Sequence, residues 1–182
     1  MATNPDAITM TVAEFLRFEG EPDRRYELVD GRLRMMAALS GEHGTIVGNC
    51  WGEIDRRLER RPPCRAQIDA GIRIDDATFY VADVALTCNP EPHSQIHPRS
   101  GSDRRGALAV HPHRRQGPQA RPKSLDSVGE IWLVDSERRC VQVWWREPDG
   151  WSGRDFVAAA SFESRVLEDR IALDRLYRNT DL

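Results

Sequence analysis

Residues 67–87, QIDAGIRIDDATFYVADVALT, decide the fold. In the first half Ile68, Ala70, Ile72 and Ile74 alternate with residues that are mostly polar, the period of a half-buried strand. The second half, from Thr78 to Thr87, is almost continuously apolar, as a strand covered on both faces must be. Asp75 and Asp76 separate the halves, so they read as two paired strands with the second at the centre of a sheet. Asp83 interrupts that second run. A carboxylate inside an apolar strand is either a core polar group with its hydrogen bonds satisfied or a group kept for chemistry.

Upstream, TVAEFLRF opens with Thr11 as a helix cap and Glu14 three residues on, a capping box, with Phe15 and Leu16 as the expected apolar face. RYELVDGRLRMMA follows, with Tyr26, Leu28, Leu33 and Met35 at alternate positions around Asp30-Gly31, the signature of a tight hairpin. From Ser40 onward, Ile46, Val47, Cys50, Trp51, Ile54 and Leu58 recur at helical spacing until Pro62 and Pro63 stop the run. This predicts one long amphipathic helix.

Downstream, VGEIWLVDSERRCVQVWW reads as two strands joined by a turn at Asp135 to Arg138, with Trp144 and Trp145 on opposite faces of the second. Ile171, Leu173 and Leu176 in the final IALDRLY are placed to close the core. Between these parts, residues 93–123 hold four of the five histidines and seven Arg or Lys against a single acid, Asp103. That segment is rich in Pro, His and Arg and has no periodicity of its own. His93, His97, His111 and His113 lack the regular spacing of a zinc site. The cations suit a basic arm gripping phosphates, which would be salt-dependent and indifferent to base sequence.

With 182 residues the chain can bury one core, and a single domain over 1–182 is expected. Lys and Arg number 26 against 29 acids, a net charge of -3, so any grip on nucleic acid must come from a local patch. Met1 to Met10 form neither a basic n-region nor an apolar h-region, and no run approaches a membrane span, so the expected setting is cytoplasmic. The cysteines, Cys50, Cys64, Cys88 and Cys140, are far apart in sequence and read as buried free thiols.

Taken in order, TVAEFL, RYELVDG, the helix opening with EHG, YVADVAL, VGEIWLVD and a closing leucine-rich segment resemble the Uma-two family of restriction-endonuclease-like proteins. The resemblance covers nearly all of the chain outside 93–123. It implies an α/β fold with a mixed central sheet flanked by helices, and hydrolysis of DNA phosphodiesters by a PD-(D/E)XK nuclease site. It also implies a Mg2+ or Mn2+ cofactor, since hard carboxylate and water oxygens are what these cations take. On that pattern Asp83, in VADV where the family carries PDV, is a metal ligand. Glu27 would face the same cleft; without the resemblance it is a surface strand carboxylate. His43, in the first turn of the long helix, is placed to contact a phosphate or a water, and a capping or solvent-facing histidine is equally common there. Symmetric cutting of a duplex would need two sites and so a homodimer.

The family's next strand, reading roughly LIVEVLSPST with the second metal-binding Glu, is missing. Reading the last two bases of each codon with the first of the next, His97 to Pro112 permit TLDPVLIVEVLSPST, the Glu falling across Arg105 and Gly106. Compensating frame changes near codons 92–97 and 121–123 are therefore expected. As written, the chain should lose a central strand, leave the Asp83 strand at an edge, and be catalytically impaired. The alternatives are a non-catalytic DNA-binding module and a pseudogene product.

Overall fold

The computed structural model describes residues 9–36, 41–88, 107–112 and 128–182. Helix α1 (Val12–Phe15) has the predicted capping box, Thr11 Oγ1 accepting from Glu14 N and the Glu14 carboxylate accepting from Thr11 N. Its buried residue is Val12, while Leu16 lies outside and 48% exposed, because a single helical turn presents one side chain to the core. Strands β1 (Tyr26–Val29) and β2 (Arg32–Met35) form the hairpin. Asp30 and Gly31 both take positive φ, 54° and 73°, the two-residue turn whose twist matches its strands.

Helix α2 (Gly41–Leu58) buries Ile46, Val47, Cys50, Ile54 and Leu58. Trp51, expected on that face, points to its rim and is 36% exposed. Strands β3 (Arg65–Arg73) and β4 (Phe79–Thr87) pair antiparallel along their length. They are followed by β5 (Ala107–Pro112), β6 (Val128–Val134), β7 (Cys140–Glu147) and β8 (Gly150–Val157). β9 (Ser161–Ser164), β10 (Asp169–Ala172) and α3 (Leu173–Leu176) complete the described chain. The eight-stranded sheet is mixed, with β5 and β6 parallel and the other paired strands antiparallel.

One detail of the register places the site. Phe79 pairs with Arg73 of β3 and with Leu28 of β1, whereas Val84 pairs with Ile68 of β3 and Val110 of β5. β3 therefore covers one edge of β4, and β1 and β5 share the other. Between them, residues 80–83 of that shared edge face a gap in the described sheet.

α2 packs one face of the sheet together with Val84, Leu86, Trp132, Val141, Val143, Phe162, Ile171, Leu173 and Leu176. The opposite face gathers Ala70, Ile72, Ala82, Val128, Ile131 and Trp144. Trp144 and Trp145 divide between the two faces, as strand alternation requires. Gly153 stands across from Trp144, and a Cβ there would lie 2.6 Å from the indole, so only glycine lets the ring lie flat on β8.

Two expectations are corrected. β4 does not lose its neighbour, since β5 forms from Ala107–Pro112 and pairs with both β4 and β6. Ladder pairing uses backbone groups that any non-proline residue carries, and apolar Ala107 to Val110 suit a covered strand. This is a different segment from LIVEVL, which the shifted frame places across codons 102–108. Nor are all four cysteines free: Cys64 and Cys88, next in register beyond the Arg65–Thr87 pair, form a disulfide, leaving Cys50 and Cys140 as thiols. Sequence distance hid a pair that the antiparallel ladder brings face to face. Residues 93–106 and 113–123, with His93, His97 and His113, lie outside the described residues. Among the described residues no helix is long and apolar enough to cross a membrane.

Candidate active site

Asp83 and Glu27 meet the gap between β1 and β5 from two strands, and α2 brings His43 to it. Asp83 is 4% exposed, and its Oδ1 lies 3.1 Å from His43 Nε2. His43, in the first turn of α2, is itself 2% exposed, so it is neither a cap nor a solvent-facing residue. Glu27, also 4% exposed, accepts a hydrogen bond at Oε1 from Val81 N, 3.2 Å away. That amide sits where neither β1 nor β5 supplies a paired carbonyl, so a side chain reaches in to satisfy it. Glu27 is thus a buried carboxylate, in contrast to the surface strand residue the bare sequence suggested.

The surroundings are apolar and firmly tied. Cys50 lies two turns along α2 from His43; burial, and then the charges of Asp83 and Glu53, push its thiol far up, so it stays neutral. Burial also acts against ionised Glu53, but hydrogen bonds from Arg56 and Arg57 outweigh it and hold the carboxyl below its usual range. Arg57 in turn pairs with Asp169 at 2.6 Å, fastening α2 to β10. α2 is therefore a fixed platform for His43.

Asp83 and Glu27 offer the hard oxygens that Mg2+ or Mn2+ takes. The described residues do not, by themselves, fit such an ion: no group of three His, Cys, Asp or Glu among them is placed to hold a metal. β5, which takes the place beside β4, reads ALAVHP and contains no acid. The resulting arrangement is a buried carboxylate–imidazole pair beside a second buried carboxylate. It can orient a water or a phosphate oxygen.

The structure also shows residues the sequence reading passed over. Asp69 on β3 sits at one of the polar positions of its alternating strand, where nothing in the sequence sets it apart, and Arg25, which pairs with it, directly precedes YELVDG. Glu130 on β6 is completely buried but belongs elsewhere, accepting from Trp132 Nε1 and from the backbone N–H groups of Arg165 and Val166. Asp135 shapes its turn as expected: burial opposes its charge, yet bonds from Glu137 N and Arg138 hold it below the usual carboxylate range.

Known proteins match this arrangement. The Uma2 family model, described as "Putative restriction endonuclease", matches residues 12–110, a span that runs from α1 into β5 and includes Glu27, His43 and Asp83. A crystal structure of "a putative nuclease belonging to DUF820 from Anabaena variabilis ATCC 29413" superposes with a TM-score of 0.68 at 16% identity, covering 92% of this chain and 97% of that one. That likeness is one of fold, and it agrees with the restriction-endonuclease-like α/β architecture. No curated protein matches the chain. With more than half of its length matched by the family model, the chain belongs to the Uma2 family.

Proposed function

We propose that this protein has a DNA nuclease fold whose complete site hydrolyses phosphodiesters with Mg2+ or Mn2+, and that the chain as written is catalytically impaired. Buried Asp83, held against His43 at the gap in the sheet, is the observation that carries the reading. A carboxylate costs several kcal/mol to bury, of order 1–3 kcal/mol even when partly compensated, and Asp83 is kept buried where β1 and β5 part. Impairment follows from the acid-free β5: among the described residues no further carboxylate joins Asp83 and Glu27 to complete a cation's shell. The compensating frame changes account for its loss, because the out-of-phase codons restore LIVEVL with its Glu.

The test compares this polypeptide with the frame-restored protein in nicking of supercoiled plasmid DNA, with Mg2+, Mn2+ or EDTA. Nicking by the restored protein alone, abolished by Asp83→Ala, is the expected result. Robust Mg2+-dependent nicking by the present chain, lost on Asp83→Ala, would overturn the impairment. A non-catalytic DNA-binding role for this chain is favoured if a gel shift persists in EDTA and survives Asp83→Ala. A pseudogene product would show a non-cooperative melt.

A further inference from the structure

The geometry points to Arg25 as a phosphate-binding residue of this site, held beside it by Asp69. The inference rests on the nucleic-acid reading above and adds the group that meets the substrate's charge. Leu28 pairs with Phe79, and Arg25 directly precedes β1, two residues before Glu27. On the other edge of β4, Ile68 pairs with Val84 and Ala70 with Ala82, which sets Asp69 across from Asp83. Arg25 Nη2 donates to Asp69 Oδ1. The guanidinium therefore meets β3 at the residue opposed to Asp83 in the β3–β4 register.

Three features make this pair more than a tie between strands. First, the site holds two buried carboxylates, Glu27 and Asp83, with Asp69 opposed to Asp83 in the register, and carboxylates repel a polyanion unless a cation stands near them. Second, the pair is open to solvent, the side chains being 29% and 55% exposed, so its attraction is screened by water and its guanidinium is released cheaply. Third, Asp69 leaves the ladder to make it: its φ is 54°, a left-handed conformation that Asp tolerates better than most residues. A regular β conformation would put the Asp69 and Asp83 carboxylates on the same side of directly opposed residues, an unfavourable juxtaposition. The kink relieves it and presents Asp69 to Arg25. A nucleic-acid phosphate offers the same planar pairing to the guanidinium that Asp69 offers, and can take its place.

The experiment is equilibrium binding of a fluorescein-labelled DNA duplex in EDTA across a salt series, with wild-type protein, Arg25→Gln, Arg25→Lys and Asp69→Asn, and a thermal melt of each. Loss of one charged contact weakens binding by about 10-fold or more and lowers the salt slope by about one for Arg25→Gln. Arg25→Lys recovers part of the affinity, and Asp69→Asn binds more tightly than wild type because the guanidinium is freed. A structural tie gives a different pattern, in which Arg25→Gln and Asp69→Asn lower the melting temperature together and leave the salt slope unchanged; that result overturns the inference. Absence of duplex binding by the wild type overturns it as well. If the four proteins bind as expected while the frame-restored enzyme fails to nick, the nuclease reading falls and the phosphate contact stands.

Discussion

Two buried carboxylates, one in each half of the sheet, show what burial does and does not say about function. Glu130 on β6 is completely buried and Asp83 on β4 nearly so. Glu130 is met by an indole N–H and two backbone N–H groups, donors that neither gain nor lose a proton near neutral pH. Asp83 is met by an imidazole, whose two ring nitrogens can act as donor or acceptor. The first carboxylate pins the turn at Arg165 and Val166 to β6 within an aromatic core, where Trp132 and Phe162 pack edge to face at 4.9 Å. The second stands where β1 and β5 part. The partner's chemistry and the continuity of the sheet, more than burial, separate a structural acid from a candidate site acid.

The largest effect that would sharpen this contrast is Glu130→Ala. Losing the carboxylate strands an indole and two amides in the interior, and a cost of about 3 kcal/mol or more is expected in urea unfolding. A loss below about 1 kcal/mol would remove the distinction. Reducing the Cys64–Cys88 disulfide, which closes a loop of sequence separation 24 in the site-bearing half, should cost about 3 kcal/mol by loop entropy, measured by melts with and without dithiothreitol. No change on reduction would mean that this half holds together without its cross-link.

Glu130→Gln should be milder, about 1–2 kcal/mol, since the amide oxygen still accepts while its NH2 faces the Trp132 donor. It also has a pH signature. Burial raises the Glu130 carboxyl above the usual glutamate range, more than the bonds from Trp132, Ser164, Val166 and Arg165 lower it. The folded state therefore holds this proton more tightly than the unfolded chain. Stability contributed by Glu130 is present below the ordinary glutamate pKa and declines as pH rises through the window up to the raised folded value. The Gln variant should lose that decline, as denaturation across mildly acidic pH would show. The smallest change is expected for Asp83→Asn, within about 1 kcal/mol and with either sign, because removing a buried charge offsets the weakened contact to His43. A loss as large as that of Glu130→Ala would make Asp83 a structural acid too.

Much of the fold could be read before any coordinates. Thr11 and Glu14 announce the cap, Asp30-Gly31 the turn, and the apolar spacing from Ile46 to Leu58 the long helix, because caps, turns and periodicity are local and depend on neighbours within a few residues. Asp83 was legible for a related reason: a charge inside an apolar run stands out against its own strand. Trp51 and Leu16 were misjudged because how wide a helix face is buried depends on what packs over it, which periodicity does not state.

By itself, then, the sequence determined the order of elements, the central strand and the odd carboxylate within it. Only the tertiary structure decided that β1 and β5 share one edge of β4, that His43 meets Asp83 across a separation of 40 residues, and that Cys64 finds Cys88. It also decided that Ala107–Pro112 can fill the place beside β4. The reason is physical: hydrogen-bond ladders and buried ion pairs are satisfied by whichever groups the folded register brings opposite one another, and a register between distant strands is written in no single stretch of chain.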